Sequence, residues 1–368
     1  MWIAIFAAML LTSVGGAVYL VRGIHRFSAI QRLGEKHRLM SWIVSVLLLS
    51  LSGLCCFINY WTMIVVLIHL FVFWFIADIA GAVIRKASGR KRTKNYTGAF
   101  ALAFTALYLG AGWYFAHHVY IKEYSFTTAK PLKDDIRAVL IADSHMGITL
   151  DGEDFAEQMQ RIKELDPDIV LIAGDFVDDD SRRIDAMRAC EALGEISPGY
   201  GTYFIYGNHD KGYYESYRDF TYQELAAALE ENGVTILEDE SVLVNDDFYV
   251  IGRQDKSEEQ KGGSRASMEE LTRDLDSSKY TLVLDHQPNS YDEEAACGAD
   301  LVLSGHTHGG HLFPAGYIGL LMGANDKVYG SERRGNTDFL VTSGISGWAI
   351  PFKTGAVSEI VVINITSE

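Results

Sequence analysis

The chain has 368 residues, with 32 Lys and Arg against 48 Asp and Glu, and these charges are distributed unevenly. Residues 1–119 contain eleven basic and two acidic side chains, which leaves 21 basic and 46 acidic side chains for the rest. Such an acidic region argues against a nucleic-acid-binding domain, because affinity for polyanions comes mostly from Lys and Arg that neutralise phosphates. Small anionic substrates remain compatible with this charge if metal ions supply positive charge locally.

The first 119 residues contain four stretches that are long and apolar enough to span a bilayer, which takes about 20 residues. These stretches are residues 1–21, 40–61, 62–84 and 96–117. The second and third nearly touch, so we expect a tight hairpin around residues 59–62. The sequence therefore predicts an α-helical membrane domain with four spans over residues 1–119.

Basic side chains mark two of the loops between these stretches. The loop after the first stretch holds five Lys and Arg and the loop after the third holds six, whereas the hairpin holds none. Because basic loops stay in the cytoplasm, the amino terminus and the hairpin are expected outside, and the fourth span leads outward. A cleaved signal peptide would require Lys or Arg before the first apolar run, and neither precedes it here. We therefore predict a multi-pass protein of the cell membrane with its acidic domain on the extracytoplasmic side.

Two ionisable residues, His69 and Asp78, lie within the third apolar stretch. Their separation of nine residues places them on opposite sides of a helix, so we do not expect them to pair. An ionisable residue inside a span is typical of a bundle interior or a polar path. The alternative is that Asp78, near the cytoplasmic end, meets the basic loop.

The acidic region begins with a predicted linker over residues 120–135, in which an alternating patch could form a first edge strand. Strand-like runs then alternate with helical ones at residues 154–165, 185–196, 222–232 and 267–276. This alternation indicates an α/β domain over residues 136–368. Residues 241–252 instead predict a hairpin, and residues 339–342 and 357–363 predict late, antiparallel strands. The expected architecture is two packed sheets flanked by helices.

Five short apolar runs in this region are each followed by metal-binding side chains. The motifs that follow them are Asp143-Ser144-His145, Gly174-Asp175, Gly207-Asn208-His209-Asp210, Asp285-His286 and Gly305-His306-Thr307-His308. Open α/β sheets bind their ligands at the carboxyl ends of strands. Any one motif alone is more often a surface accident or a turn, but five in order indicate a two-metal hydrolase site.

The spacing within the motifs suits chelation of metal ions. Asp143 and His145 are two residues apart, so both side chains point to one face of a strand end. His306 and His308 share a face in the same way and can reach separate ions that lie about 3.5–4 Å apart. A carboxylate has two oxygens, which makes Asp175 the natural ligand shared by two ions. The candidate ligands are Asp143, His145, Asp175, Asn208, His286, His306 and His308.

These motifs resemble the calcineurin-like metallophosphoesterase superfamily, and the apolar stretches before them resemble its membrane-bound branch. The blocks D-x-H, G-D-x-x-D, G-N-H-D/E, a lone His and G-H-x-H all stand between residues 136 and 363. The resemblance implies a two-sheet β-sandwich flanked by helices. It also implies two metal ions, one held by Asp143, His145, Asp175 and His308 and the other by Asp175, Asn208, His286 and His306. By the same resemblance the nucleophile is a water or hydroxide between the metals, and His209, oriented by Asp210, assists the leaving oxygen.

Three further residues are candidates for the surroundings of the site. Asp178 suits a hydrogen-bond partner for a ligand histidine, although it also reads as part of a solvated run of three acids. His311 stands where related sequences often carry Gln, which bears on specificity and not on metal binding. Trp348 lies in a glycine-rich segment that resembles a loop bordering the family's site. It could stack on a base, pack against an acyl chain, or be a partly buried core residue.

The leading hypothesis is a membrane-anchored phosphoesterase with two divalent metal ions. Mixed oxygen and nitrogen ligands suit manganese, iron or zinc. The expected partners are the lipid bilayer and a phosphomono- or phosphodiester, and four spans where one would tether favour a lipid-linked substrate. One alternative is a phosphatase of soluble nucleotides or phosphoproteins. Another is an inactive membrane scaffold or sensor, but inactive versions usually lose ligands and none is missing here.

Overall fold

The structure is a computed structural model, and it describes residues 2–89, 94–212 and 217–368; the side chains of residues 2–13 and of Ala315 lie outside the description. The chain divides into two units, Met1–Ala111 and Gly112–Glu368. Each unit has its own hydrophobic clusters.

The first unit is helical. Its helices are α1 (Trp2–His25), α2 (Ser28–Lys36), α3 (Arg38–Ser50, continued by a 3-10 helix at Leu51–Phe57), α4 (Tyr60–Ser88) and α5 (Tyr96–His117), whose last residues belong to the second unit. Three helical segments of the described chain are long and apolar enough to cross a membrane, namely Arg38–Phe57, Tyr60–Ser88 and Tyr96–His117. The predicted span over residues 1–21 falls mostly on side chains outside the description, so the count of four spans stays a prediction.

The turn between the second and third predicted spans is set by Asn59. Its side chain accepts a hydrogen bond from the Thr62 N–H at 2.8 Å and so caps the first turn of α4. An asparagine at this position satisfies a backbone donor that the helix itself leaves without a partner. At the other end, Gly89 ends α4 with φ +65°, a left-handed conformation that glycine adopts at little cost.

Asp78 is the acceptor at the centre of a polar cluster in the first unit. It accepts hydrogen bonds from the hydroxyls of Tyr19 at 2.7 Å and Thr97 at 2.6 Å, and it pairs with Arg26 at 2.6 Å. Arg26 belongs to the first basic loop, so the contact with that loop is the interpretation of Asp78 that the structure supports. The Nδ1 atom of His69 instead lies 2.8 Å from a backbone carbonyl one turn earlier.

The second unit contains two six-stranded sheets and short helices. Its strands are β1 (Val119–Thr128), β2 (Ile136–Ile141), β3 (Ile169–Ala173), β4 (Thr202–Ile205), β5 (Val234–Ile236), β6 (Glu240–Val244), β7 (Phe248–Gly252), β8 (Tyr280–Leu284), β9 (Leu301–Ser304), β10 (Gly330–Arg334), β11 (Thr337–Val341) and β12 (Ser358–Ser367). Its helices are α6 (Gly152–Glu164), α7 (Arg183–Gly194), α8 (Tyr222–Glu231), α9 (Ser257–Gln260), α10 (Met268–Thr272), α11 (Tyr291–Ala296) and α12 (Ile318–Leu321).

Both sheets are mixed. The first has the order β1, β12, β2, β3, β4, β5 and the second has the order β10, β11, β9, β8, β7, β6. Strands β2 to β5 are mutually parallel, as are β7, β8, β9 and β11. The predicted α/β domain with two sheets is therefore confirmed. Parallel strands bring their carboxyl ends to one edge of a sheet, which places the candidate motifs there.

Alternating side chains on the strands divide the core into layers. In β2, Leu140 belongs to a cluster that contains residues of both sheets, such as Leu171 and Leu282. Its neighbours Val139 and Ile141 point the other way and join a cluster with α6, α7 and α8. This period of two is what a strand buried on both faces requires. A third cluster lies between the second sheet and α10 and α11.

Three local predictions differ from the structure. The linker predicted over residues 120–135 is shorter than expected, because its alternating patch is the edge strand β1, which pairs with the distant β12 over its full length. Strand β11 is antiparallel to β10 and β12 is antiparallel to β2, as expected, but β11 also pairs in parallel with β9 after a crossover through residues 305–336. The predicted helix over residues 267–276 ends earlier, as α10.

Candidate functional site

Every predicted ligand lies just after a strand, at the carboxyl edge of its sheet. In the first sheet Asp143 and His145 follow β2, Asp175 follows β3 and Asn208 follows β4; in the second, His286 follows β8, and His306 and His308 follow β9. The loops also bond across the edge. The Asp143 N–H donates to the Gly174 carbonyl at 2.9 Å, and the Gly305 N–H donates to the His286 carbonyl at 3.1 Å. The structure therefore brings all seven side chains together.

Five of these residues have a left-handed backbone. The φ angles are +54° at Asp143, +35° at His145, +51° at Asp175, +71° at His306 and +49° at His308. Residues other than glycine avoid this region because of steric contact, at a cost of about 1–3 kcal/mol each. Such strain clusters at functional sites, where the surrounding structure maintains it.

One ligand group consists of Asp143, His145 and His308, each with a ligand atom within 4.8 Å of the others. The Nε2 atoms of His145 and His308 face each other at 3.2 Å. The Asp143 carboxylate accepts the His306 N–H at 2.9 and 3.0 Å, which fixes its direction. A carboxylate and two imidazoles in this arrangement fit a divalent transition metal ion.

A second ligand group consists of Asp175, His286 and His306, again with ligand atoms within 4.8 Å of one another. The side-chain oxygen of Asn208 lies 2.8 Å from His306 Nδ1 and 3.2 Å from His286 Nε2, so it joins this group. His286 Nδ1 lies 2.7 Å from the Ala173 carbonyl. Since that carbonyl can only accept, Nδ1 carries a hydrogen and Nε2 is the atom that would bind an ion.

Asp175 lies between the two groups. Its Oδ2 atom is 3.1 Å from His286 Nε2 and 3.5 Å from His145 Nε2. Its Oδ1 atom accepts the His209 N–H at 2.9 Å, which holds the carboxylate in place. A Cβ atom on the neighbouring Gly207 would lie 2.2 Å from Oδ1, so this close approach requires glycine.

Burial acts to lower the pKa of all four ligand histidines, but in His145 and His286 the neighbouring carboxylates outweigh burial and raise the pKa. Burial and the charge of His286 lower the pKa of His306 to about 3. Burial also holds the pKa of His308 well below its usual range. Both rings are therefore neutral near pH 7, which is the form of imidazole that binds metal ions. The buried carboxylates of Asp143 and Asp175 lie among these four rings, so the donor set fits cations that would take the place of the ring protons.

His209 lies beside the ligand groups and is held by two carboxylates. Its Nδ1 atom is 3.1 Å from Asp178 Oδ1 and 3.5 Å from Asp179 Oδ2. Burial lowers the pKa of His209, but the bonds to the two carboxylates outweigh burial and raise it to about 11. The ring is therefore protonated near neutral pH. Asp178 also reaches the other side of the site, where its Oδ2 atom is 3.4 Å from His145 Nδ1.

Asp210 has a different role from the one expected. The sequence suggested that it orients the His209 ring, but both of its oxygens accept backbone hydrogen bonds. Oδ2 accepts the N–H groups of Asp175 at 2.8 Å and Gly207 at 2.7 Å, and Oδ1 accepts those of Phe176 at 2.8 Å and Val177 at 3.1 Å. This carboxylate therefore fixes the loops after β3 and β4, and the carboxylates at the His209 ring are Asp178 and Asp179.

The two remaining candidates lie at the site's border. The Trp348 ring is 5.7 Å from the His209 ring, and the residue is 43% exposed, so it is not a core tryptophan. The His311 ring is 5.3 Å from that of His308. Among the described residues, the buried Nε2 atom of His311 has no hydrogen-bond partner. Both side chains therefore border the ligand groups.

Sequence reasoning missed Lys353, which is fully buried next to the site. Its Nζ donates to the carbonyls of Ser343 at 2.5 Å and Gly344 at 3.0 Å. A Cβ atom on Gly344 would lie 2.6 Å from Asp143 Cβ, so the lysine holds a loop that packs on a ligand. Burial lowers the pKa of Lys353 to about 7. The available signal was that Lys353 is the only charged residue among residues 339–358.

Comparison with known proteins identifies the family. The family described as calcineurin-like phosphoesterase matches residues 136–310. A protein of Aquifex aeolicus described as an uncharacterized metallophosphoesterase is 31% identical over 271 residues, covering 71% of this chain and 98% of that protein. The chain belongs to the calcineurin-like phosphoesterase family. The resemblance noted from the motifs is confirmed, and calcineurin-like phosphoesterases are typically metal-dependent hydrolases that use divalent ions.

Some relatives are described as transmembrane proteins. A Danio rerio protein described as transmembrane protein with metallophosphoesterase domain is 30% identical over 235 residues, which cover 61% of this chain. The chain spans 52% of the length of that relative. A solved dimetal phosphatase from Danio rerio has 12% identity and a TM-score of 0.33, covering 57% of this chain and 87% of its own. The transmembrane relatives and the three apolar helices together support a membrane protein.

Proposed function

We propose that this protein is a membrane-anchored phosphoesterase that hydrolyses phosphomono- or phosphodiesters at a centre for two divalent metal ions. The observation that carries the proposal is the position of Asp175, whose Oδ2 lies 3.1 Å from His286 Nε2 and 3.5 Å from His145 Nε2. A carboxylate in that position can serve both ligand groups at once. Two groups that share a carboxylate are what a pair of ions about 3.5–4 Å apart requires.

The ligand sets divide as the geometry suggests. Asp143, His145 and His308 would hold one ion, Asn208, His286 and His306 would hold the other, and Asp175 would serve both. When bound, the ions would lower the pKa of a water molecule towards neutrality and offset the charge on the phosphate oxygens. Manganese, iron and zinc all suit this mixture of oxygen and nitrogen ligands.

His209 supplies the proton in this proposal. Asp178 and Asp179 keep its ring protonated near neutral pH and hold the ring at Nδ1. The protonated ring would donate a proton to the leaving oxygen of the ester, which needs one as the P–O bond breaks. Asp178 also contacts His145 and so holds the protonated ring at a constant position relative to the first ligand group.

The substrate is proposed to be amphipathic or lipid-linked. The three apolar helices are long and apolar enough to cross a membrane, and a single helix would suffice for tethering alone. Trp348, half-exposed beside His209, offers an apolar surface next to the reacting group. The distribution of Lys and Arg in the loops supports an extracytoplasmic catalytic domain. Protease treatment of intact cells tests that orientation, because only an extracytoplasmic domain is cleaved.

The experiment that tests the function uses purified full-length protein with added Mn²⁺ and a panel of phosphoesters. The panel contains generic aryl mono- and diesters, nucleotides, a phosphoprotein, glycerophospholipids and lipid pyrophosphates. We expect hydrolysis by the wild type, and a loss of about 100-fold or more in Asp175→Asn and His209→Gln. Asp274→Asn changes an exposed carboxylate far from the motifs in sequence and serves as the matched control. Equal activity in all four proteins would overturn the proposed site, and preference for nucleotides or phosphoproteins would overturn the lipid-linked substrate.

A further inference from the structure

A group of exposed apolar side chains follows the last ligand motif. This group, the apolar ridge, consists of Phe313, Tyr317, Ile318, Leu320, Leu321 and Met322. Leu321 is 85% exposed and Met322 is 79% exposed. Residues 309–325 contain no Asp, Glu, Lys or Arg, although the region after residue 119 contains 46 acidic side chains. Exposed apolar side chains grouped in this way indicate a surface that contacts an apolar partner.

The apolar ridge is connected directly to the ligand motif. Tyr317 of the ridge lies beside Gly310, which is two residues after His308. A Cβ atom added at Gly310 would be 3.2 Å from the Tyr317 ring. The Phe313 and Tyr317 rings contact each other edge to face, with centroids 6.2 Å apart. The ridge is therefore built on the same loop as two predicted metal ligands.

The ridge is also linked to the end of α5. The Phe313 N–H donates to the Thr354 hydroxyl at 3.0 Å. The neighbouring Lys353 N–H donates to the Gly112 carbonyl at 2.9 Å, in the last turns of α5. A Cβ atom on Gly112 would lie 2.7 Å from Thr354 Cγ2, so the helix and this loop touch closely. All of these contacts lie within the second unit.

The end of α5 carries the marks of a membrane–water interface. Trp113 and Tyr114 follow Gly112 and are each about half exposed. Tryptophan and tyrosine are enriched where a span leaves the hydrocarbon, because their rings are apolar and their tips are polar. The loop that carries Lys353 and Thr354 therefore meets α5 at the level of the headgroups. The Thr354 hydroxyl in turn accepts a hydrogen bond from Phe313, the first residue of the ridge.

We propose that the apolar ridge inserts into the lipid bilayer interface beside the end of α5. The continuity from Gly112 through Thr354 to Phe313 places an uncharged, apolar surface where lipid is present. The transfer of leucine, methionine and aromatic side chains from water to the acyl boundary lowers the free energy. Insertion of the ridge would also open the site towards phosphoesters held in the bilayer. That last consequence rests on the proposed function, whereas insertion itself does not.

A cross-linking experiment tests the insertion without any need for activity. Full-length protein is reconstituted in lipid nanodiscs with a photoreactive benzophenone amino acid at Leu321 or, as the matched control, at Ile184. Ile184 is an equally apolar residue on α7 and is 72% exposed. After illumination we expect lipid adducts at position 321 and few at position 184. Equal lipid labelling at the two positions would overturn the proposal, as would cross-links from position 321 to a second copy of the chain in place of lipid.

A second measurement relates the ridge to the substrate. We expect the double variant Leu321→Ser, Met322→Ser to lose several-fold in turnover of a phosphoester embedded in the nanodisc, but to keep wild-type turnover of a soluble aryl diester. Ile184→Ser should change neither rate. Equal loss on both substrates would contradict a role in presenting lipid. If the wild type hydrolyses nothing, the proposed function fails, and the lipid adducts at position 321 still decide the insertion.

Discussion

The carboxylate of Asp210 holds the backbone of Asp175. Oδ2 of Asp210 accepts the N–H groups of Asp175, at 2.8 Å, and of Gly207. Oδ1 accepts those of Phe176 and Val177, which follow Asp175 in the chain. Asp175 has φ +51°, so the loop that carries it is strained. A fully buried carboxylate that accepts four N–H groups compensates for that strain.

Removing this carboxylate should therefore destabilise the domain. Asp210→Ala leaves buried N–H groups without an acceptor, and each such group costs about 1–3 kcal/mol. We expect a clear fall in the Tm of the full-length protein, measured by thermal unfolding in detergent. The control Asp274→Ala should melt with the wild type. An Asp210→Ala protein that melts normally but has lost activity would show that Asp210 acts on the chemistry.

The charge of His209 should appear in the dependence of activity on pH. Asp178 and Asp179 raise the pKa of His209 against the effect of burial. A group with a raised pKa is protonated below that value and loses its proton as the pH rises through it. Asp179→Asn removes one of the two carboxylates, so the pKa falls. We expect the alkaline decline of kcat/KM to move to lower pH in this variant.

The neighbouring Asp180 provides the control for that experiment. It belongs to the same run of acids, but the carboxylates that lie at the His209 Nδ1 atom are those of Asp178 and Asp179. Asp180→Asn should leave the alkaline limb where the wild type has it. Identical profiles in Asp179→Asn and the wild type would contradict the assignment of His209 as the proton donor.

Trp348 should affect substrate binding more than stability. Its side chain is partly exposed and its ring lies 5.7 Å from that of His209. Substitutions of exposed side chains usually change stability by about 0.5 kcal/mol or less. For Trp348→Ala we expect a KM several-fold higher and a nearly unchanged Tm. A large fall in Tm with an unchanged KM would instead identify a structural residue.

The sequence predicted the fold and the site best where metal-binding residues directly follow an apolar run. The apolar runs before Asp143, Asp175 and His286 predicted strands, and polar residues after buried strands predicted a common edge. The hairpin near Asn59 was visible because the second and third apolar stretches nearly touch and no charged residue separates them. These features are local, so they can be read without knowing the fold.

Contacts between distant segments could not be read in this way. Strand β1 resembled a linker because its partner β12 lies more than 200 residues later. The family resemblance implied that Asp210 orients His209, yet the four donors to Asp210 are backbone groups, which every sequence contains. Lys353 was overlooked because only the fold reveals that the carbonyls of Ser343 and Gly344 surround its amine.

The most direct test of the central claim is the number of transition metal ions bound per chain. It is measured by elemental analysis of purified full-length protein, wild type beside Asp175→Asn and Asp274→Asn. Because Asp175 lies between the two ligand groups, we expect about two ions in the wild type and in Asp274→Asn, and one or fewer in Asp175→Asn. An active wild type with a single ion, or an Asp175→Asn protein that keeps two, would contradict the shared carboxylate.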